Sequence, residues 1–183
     1  MRNVLLGYLK EQFPDAKVYW HAPWAYQIGY KSGNKEVNTF EDQQERMMSI
    51  REFALGVCKE NGVSRVNTGE AWHIYRKNYV GTNGFTDTLC ARLGVGTNNV
   101  GDYYHDGDIG GGQYLNACVW FEIIMRDLRP GDNITCIGNT YAPVYDGKYT
   151  LSQELRTALQ ESAHQAVMEY DWETPSTAIQ DGE

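Results

Sequence analysis

The sequence predicts an α/β fold, in which helices flank a mostly parallel sheet. Helical patterns alternate along the chain with short apolar extended runs, which is the order that parallel α/β architectures produce. The chain has 183 residues, of which 42% are hydrophobic, and this is enough for one domain with a real core. Only two or three strands are visible, however, and this is few for a parallel sheet.

The first half of the chain predicts two helices around one strand. "VLLGYLKEQFPDA" is an amphipathic helix that ends before Pro14, because proline disfavours a helical residue before it. Residues 18–20 form a short buried strand that leads into a polar loop. Thr39 is the expected N-cap of the next helix, with Asp42 in the capping-box position, and Gly62 is its expected left-handed C-cap.

The second half predicts a strand in "SRVNTG", a helix in "EAWHIYRKNY" and loops rich in glycine and asparagine. The helix over residues 113–125 carries apolar side chains round its circumference, which predicts that it is buried on all sides. "NITCIGNTYAP" predicts a last extended segment, and an amphipathic helix follows it. Residues 1–170 are assigned to one domain, and residues 171–183 to an acidic, frayed tail.

Charge and apolar patterning narrow the possible partners. The net charge of −8 argues against nucleic-acid binding, which needs a clustered basic face. No apolar run reaches the ~18 residues of a membrane span. The start, "MRNVLLGYLKEQFPDA", has no signal-peptide pattern, and the sequence leaves the compartment undetermined.

The four cysteines, Cys58, Cys90, Cys118 and Cys136, form no CxxC pair. Cys58 and Cys118 lie within apolar helical patterns, where a free cysteine behaves as a small hydrophobic residue. Buried thiols are therefore expected, with a disulfide or a metal site as the alternative.

Asp102 and His105 form the candidate catalytic pair. Residues i and i+3 of a tight turn approach within ~7 Å at their Cα atoms, so "DYYH" can place the carboxylate beside an imidazole nitrogen. A carboxylate in that position fixes the histidine tautomer and stabilises the imidazolium. The other ring nitrogen is then free to act as a general base.

Two alternatives compete with catalysis in this stretch. Asp102 could serve only to cap a turn, and His105, Asp106 and Asp108 could bind a metal ion, although acids in glycine-rich turns are usually solvated. The remaining histidines have less to suggest a site. His73 and His164 lie on helices and are expected to be structural or solvent-facing, and His21 is expected to form a hydrogen bond in the loop after the strand.

The block "DYYHDGDIGGGQYLNACVWFEIIM" resembles the C-terminal block of SGNH (GDSL-type) hydrolases, in which an Asp-x-x-His precedes the last core helix. A bacterial SGNH-like family is the nearest resemblance. Three further motifs are similar to that family: "HAPWAY" after a strand, "TGEAWHIYR" at a helix start, and the aromatic-Glu ending "WFE". The closing segment, "GNTYAP" followed by a helix, is similar as well. The resemblance covers most of residues 1–170.

The resemblance implies the C-terminal part of a flavodoxin-like three-layer fold, with the last two of five parallel strands. It implies Asp102 and His105 as the acid and base of a Ser-His-Asp triad. Trp24, Tyr26 and Gln27 would line the rim of the substrate pocket, because α/β folds bind ligands beyond the carboxyl ends of their strands. Core packing is the alternative for Trp24 and Tyr26.

One part of the family's pattern is missing. Its nucleophile follows the first strand in a Gly-Asp-Ser or Gly-Asn-Ser motif, which precedes the segment matched here. Ser32, Ser49 and Ser64 lie in unsuitable contexts, and only "CIGNT" looks similar, with Thr140 in the serine position of a circularly permuted enzyme. We therefore expect a portion of a longer protein. Its open sheet edge at residues 18–20 would invite a missing N-terminal segment or self-association.

Two functions are predicted, both without a cofactor. The first is hydrolysis of a small-molecule or carbohydrate ester in the complete protein, with this chain alone inactive because it lacks a nucleophile and an oxyanion hole. The second is a non-catalytic module that binds carbohydrate through aromatic side chains, with Asp102 and His105 as remnants of a triad.

Overall fold

The structure, a computed structural model, describes residues 2–33 and 35–169. It confirms the α/β prediction of few parallel strands flanked by helices. The helices are α1 (Arg2–Gln12), α2 (Phe40–Asn61), α3 (Thr68–Asn78), α4 (Gly112–Leu128) and α5 (Gln153–Glu169), with a short 3-10 helix at Thr97–Asn99. The strands are β1 (Tyr19–His21), β2 (Lys31–Ser32), β3 (Lys35–Glu36), β4 (Ser64–Val66), β5 (Val144–Tyr145) and β6 (Tyr149–Thr150). The predicted tail at residues 171–183 lies outside the described residues.

The central sheet consists of β1 and β4, which pair in parallel with Tyr19 opposite Ser64 and His21 opposite Val66. Within the described residues, β4 is the strand that pairs with β1, so the second edge of β1 is open. The other four strands form two separate antiparallel hairpins, β2–β3 and β5–β6. The strand predicted at residues 18–20 is thus present, shifted by one residue, but it is not buried as predicted, because Tyr19 and Trp20 are half-buried and His21 is exposed.

Local sequence signals set the bounds of α2 as predicted. The Thr39 side chain accepts a hydrogen bond from the Asp42 backbone N–H at 3.1 Å, and Asp42 accepts one from the Thr39 backbone at 3.0 Å. This reciprocal pair satisfies two N–H groups that a helix start otherwise leaves free. At the other end, Gly62 adopts the left-handed conformation, with φ at 59°.

The core forms where α3 packs against α4, α5 and α2. Trp72 and Tyr75 on α3 are fully buried. A buried ionic cluster includes Glu70 of the same helix. In that cluster, Glu70 accepts a hydrogen bond from Arg65 of β4, and Arg51 of α2 lies 3.8 Å from the same carboxylate. All four cysteines are buried and free, as expected.

The prediction that the fourth helix is buried all round is wrong. One face of α4 packs into the core through Leu115, Val119 and Ile123, but Phe121 and Leu128 are exposed on the other side. Apolar composition alone does not distinguish a helix buried on all sides from one with an uncovered apolar face. Residues 133–143 also form no strand, and the chain pairs only later, in β5 and β6.

The glycine-rich stretch before α4 is closely packed against residues 88–91. A Cβ atom on Gly110 would lie 1.7 Å from the carbonyl oxygen of Thr88, and one on Gly107 would lie 2.1 Å from that of Ala91. No larger residue fits at either position without moving the backbone. These glycines therefore fix the position of the preceding loop, which carries Asp102 and His105. Within the described residues, no helix is both long enough and apolar enough to cross a bilayer.

Candidate functional site

Asp102 and His105 contact each other as their spacing predicts. His105 Nδ1 lies 2.6 Å from Asp102 Oδ2, and the backbone N–H of His105 donates to Oδ1 at 2.9 Å. The backbone N–H of Tyr104 donates to the same Oδ1 at 3.2 Å. His105 Nε2 makes no hydrogen bond to any described residue, and 55% of the side chain is exposed. One ring nitrogen is thus held by the carboxylate while the other remains accessible.

The same contacts keep the Asp102 carboxylate ionised. Partial burial raises the pKa of Asp102, but the hydrogen bonds from the side chain and backbone of His105 and from Tyr104 outweigh this effect, so its pKa lies below the usual value of 3.8. An ionised carboxylate at Nδ1 favours the tautomer with a proton on Nδ1. Nε2 is then the proton acceptor that a general base needs.

The loop that follows β1 holds the turn of Asp102 and His105 through hydrogen bonds to the backbone carbonyl oxygens of that turn. The Trp24 indole N–H donates to the carbonyl oxygen of Tyr104 at 2.9 Å, and the backbone N–H of Gln27 donates to that of Tyr103 at 2.8 Å. Tyr103 has a φ of 67°, a strained value for a non-glycine residue that this support maintains. Trp24 and Gln27, predicted at the pocket rim, therefore position the turn, and Gln27 is itself buried.

A buried polar network anchors the loop from below. Arg76 on α3 donates through its Nε to Asp87 Oδ2 at 2.9 Å and through an NH group to the carbonyl oxygen of Ala25 at 2.7 Å. Gln43 on α2 donates to the carbonyl oxygen of Tyr26 at 2.8 Å. Spacing in the sequence does not indicate this network, because the hydrogen bond between Arg76 and Ala25 spans 51 positions and only the fold brings such residues together.

Aromatic rings connect the network to the turn. Trp24 stacks on the buried Trp72 with ring centroids 4.3 Å apart and an angle of 8° between planes, and the Arg76 guanidinium lies 5.0 Å from the Trp72 ring. Tyr26, the third predicted rim residue, packs against Tyr30 at 4.2 Å and against Tyr104 at 6.0 Å. Trp24 and Tyr26 are thus packed against other aromatic side chains, which was the alternative to a rim position.

The three side chains considered as metal ligands are directed to different partners. His105 contacts Asp102, whereas Asp106 Oδ2 accepts a hydrogen bond from Asn116 at 3.1 Å. Asp108 accepts from the backbone of Leu93 at 3.1 Å. Across the described residues, no group of three or more His, Cys, Asp or Glu side chains could hold a metal ion.

The candidate nucleophiles within the chain do not contact His105. Ser64 begins β4, at the opposite end of the strand pair from the loop that holds the turn, and Ser49 is exposed on α2. Thr140 lies in a segment whose backbone accepts a hydrogen bond from Arg156 on α5 at 3.4 Å. Ser32 lies nearer to the candidate pair than these residues do, because it lines the same cleft as Asp102.

The other three histidines make structural contacts, as expected for His73 and His164, whereas the partners of His21 lie on α3 and α4 and not in the loop after the strand. His21 Nδ1 accepts a hydrogen bond from the Trp120 indole at 2.9 Å. Burial, with smaller contributions from Lys77 and Arg76, lowers the pKa of His73 to about 4, so this ring is neutral at pH 7. His164 Nδ1 lies 2.9 Å from Glu122 Oε2.

Comparison with known proteins finds a similar fold. No family model matches the chain, and no curated protein sequence matches it. A solved structure that resembles it is the crystal structure of a DUF4886 family protein from Bacteroides uniformis, with a TM-score of 0.64 and 22% sequence identity. The match covers 96% of this chain and 57% of that protein. At this identity the likeness establishes a shared fold, and the chain spans 57% of its neighbour's length.

Proposed function

We propose that this chain supplies the base and the acid of an SGNH-type ester hydrolase. The observation that carries the proposal is the 2.6 Å contact between His105 Nδ1 and Asp102 Oδ2, in a pair whose second ring nitrogen is accessible. His105 takes the proton of a serine hydroxyl at Nε2, and Asp102 holds the tautomer and stabilises the imidazolium. The buried network under residues 24–27 keeps the pair in place, as a catalytic base requires.

The reaction then follows acyl transfer in two steps. The serine oxygen attacks the ester carbonyl carbon, and His105 returns its proton to the departing alcohol, which leaves an acyl-enzyme. Water, deprotonated by His105, then attacks the acyl carbon. The bond from that carbon to the serine oxygen breaks, His105 returns the proton to the serine oxygen, and the carboxylic acid leaves. By analogy with SGNH hydrolases, the substrate of this proposal is an acetyl ester of a carbohydrate.

The nucleophile, in this proposal, belongs to a polypeptide segment that pairs with the open edge of β1. A parallel sheet normally has more than two strands and is covered on both faces. Trp120 of α4 packs edge to face against Tyr19 of β1, and the next residue of α4, Phe121, is exposed. The neighbour of known structure is longer than this chain, so its fold includes further residues.

The test compares the chain alone with the chain produced together with a candidate nucleophile segment. Residues 1–183 alone are expected to hydrolyse p-nitrophenyl acetate no faster than their His105→Ala variant. The polypeptide encoded in frame upstream of Met1, produced together with this chain, is expected to add hydrolysis and labelling by a fluorophosphonate. His105→Ala should lower that activity by about three orders of magnitude. His164→Ala, which removes a histidine from another carboxylate pair, is the matched control and should retain it.

Two results would overturn this assignment. Hydrolysis by residues 1–183 alone that depends on His105 would place the nucleophile inside the chain, and Ser32→Ala and Thr140→Ala would then identify it. An upstream sequence that encodes no strand followed by Gly-Asp-Ser or Gly-Asn-Ser would rule out the proposed hydrolase. It would leave the second candidate, a carbohydrate-binding module, which the tyrosine cluster beside His105 favours.

A further inference from the structure

A cleft of ≈ 410 Å³ opens beside the candidate pair, between residues 29–32 and residues 102–104. Its first wall follows the loop from β1 into the β2–β3 hairpin, and its second wall is the turn that carries Asp102. Gly29 has a φ of 100°, and a Cβ atom there would lie 3.2 Å from the Tyr103 ring. Glycine therefore allows the two walls to approach each other at the base of the cleft.

Tyrosine rings form the sides of this cleft. Tyr30 and Tyr104 meet edge to face at 5.7 Å between centroids, and Tyr26 packs behind both. The Tyr104 ring also lies 4.2 Å from the His105 imidazole. Although 39% of Tyr104 is exposed, its backbone is fixed by the Trp24 indole. The cleft thus presents rigid aromatic surface next to the base, which costs little entropy when a ligand binds.

Four hydroxyl groups of the cleft have no hydrogen-bond partner within the described part of the chain. The hydroxyls of Tyr30, Tyr103 and Tyr104 make no hydrogen bond to any described residue, and neither does that of Ser32. Each hydroxyl can both donate and accept. A ligand that bears several hydroxyl groups can therefore satisfy them while its apolar face covers a ring.

Both charged side chains of the cleft, Lys31 and Asp102, already have partners. Lys31 lies 3.8 Å from Glu36. The two carboxylate oxygens of Asp102 accept hydrogen bonds from Tyr104 and His105. A charged ligand would have to replace one of these partners, whereas a neutral ligand would not, so the cleft favours a neutral ligand.

We propose that this cleft binds a neutral sugar ring, with a C–H face on the tyrosine rings and hydroxyl groups on the phenols and Ser32. The placement of an ester carbonyl of that sugar beside His105 rests on the proposed function. Sugar binding itself does not, because it requires neither a nucleophile nor an oxyanion hole. The two ideas can therefore fail separately.

The experiment is saturation-transfer NMR on the 183-residue chain, with a panel of neutral xylo-, cello-, manno- and chito-oligosaccharides, each with and without O-acetyl groups. We expect binding of at least one member, weakened about three- to tenfold in Tyr104→Ala and Tyr30→Ala. Tyr104→Phe keeps the ring and removes the hydroxyl, so its loss should be smaller. Thermal unfolding of each variant checks that it folds.

Tyr141→Ala is the matched control, because this tyrosine is 67% exposed and does not line the cleft. Its binding should equal that of the unaltered chain. The proposal is wrong if no neutral oligosaccharide binds, or if Tyr141→Ala weakens binding as much as Tyr104→Ala does. Binding without ester hydrolysis in the extended protein would retain the sugar cleft and reject the hydrolase.

Discussion

The chain contains two histidine–carboxylate pairs that use the same hydrogen bonds in different surroundings. In each pair, one carboxylate oxygen contacts histidine Nδ1 and the other accepts a backbone N–H, from His105 in the first pair and from Cys136 in the second. The pair of Asp102 and His105 is confined to one turn, and most of its imidazole is exposed. The pair of Glu122 and His164 joins α4 to α5, and Glu122 is only 2% exposed.

Their surroundings separate a site from a structural contact. Glu122 also accepts a hydrogen bond from the Thr135 hydroxyl at 2.6 Å, so it holds the loop after α4 as well as α5. Burial raises the pKa of Glu122, but the hydrogen bonds from Thr135, Cys136 and His164 outweigh this effect and lower it below 4.5. A carboxylate with so many internal partners stabilises the fold. Asp102 has partners only in its own turn, and this leaves His105 free for chemistry.

The largest difference is expected when each carboxylate is removed. Glu122→Ala should lower the free energy of unfolding by about 4 kcal/mol, because it leaves the buried N–H of Cys136 and the Thr135 hydroxyl without their acceptor. Urea denaturation measures this change. Glu122→Gln, which retains an acceptor oxygen, is the control and should lose less. An equal loss in Asp102→Ala would erase the distinction between the two pairs.

A histidine without a carboxylate extends the comparison. Because burial lowers the pKa of His73 from 6.5 to about 4, the unfolded chain binds this proton more tightly than the folded one. The free energy of unfolding is therefore unaffected by this histidine above pH 6.5. It falls by up to about 3 kcal/mol as the pH falls towards 4. Between pH 6.5 and pH 4, the free energy of unfolding should therefore fall less steeply in His73→Gln than in the unaltered chain. The same slope in both proteins would contradict it.

A substitution at Thr135 tests whether its hydrogen bond to Glu122 contributes to the stability of the fold. Thr135→Val keeps the side-chain shape and removes the hydroxyl that donates to Glu122, so it should lower the free energy of unfolding by about 1 kcal/mol. Thr82→Val, at an exposed hydroxyl that donates to the Tyr79 carbonyl, is the control and should cost less. A neutral Thr135→Val would show that this bond adds nothing to the fold.

The smallest effect on stability is expected for the candidate pair itself. Asp102→Asn should change the free energy of unfolding by less than about 1 kcal/mol, because the contact is partly exposed to water. Its effect should instead be on the tautomer, since the ionised acceptor for Nδ1–H is lost. Nitrogen-15 NMR of the imidazole should show His105 protonated at Nδ1 in the unaltered chain at high pH. A proton on Nε2 there would contradict the proposed base.

The sequence predicted what is local and missed what is distant. The capping box of Thr39 and Asp42 and the turn of Asp102 and His105 are contacts over three positions, which residue types alone can indicate. Glu122 and His164 are 42 positions apart, and the anchoring contact of Arg76 spans 51, so neither follows from spacing. The uncovered face of α4 was missed for a related reason, because apolar composition does not reveal which neighbours a helix has.

The stacked indoles of Trp24 and Trp72 give this molecule an internal optical reporter. Two aromatic chromophores held 4.3 Å apart and nearly parallel share their excited states, so their fluorescence and near-ultraviolet circular dichroism depend on their separation. Trp72 belongs to helix α3, whereas Trp24 belongs to the loop after β1 and holds the backbone of Tyr104. Any event that lifts this loop from α3 therefore changes the tryptophan spectrum of the unlabelled protein.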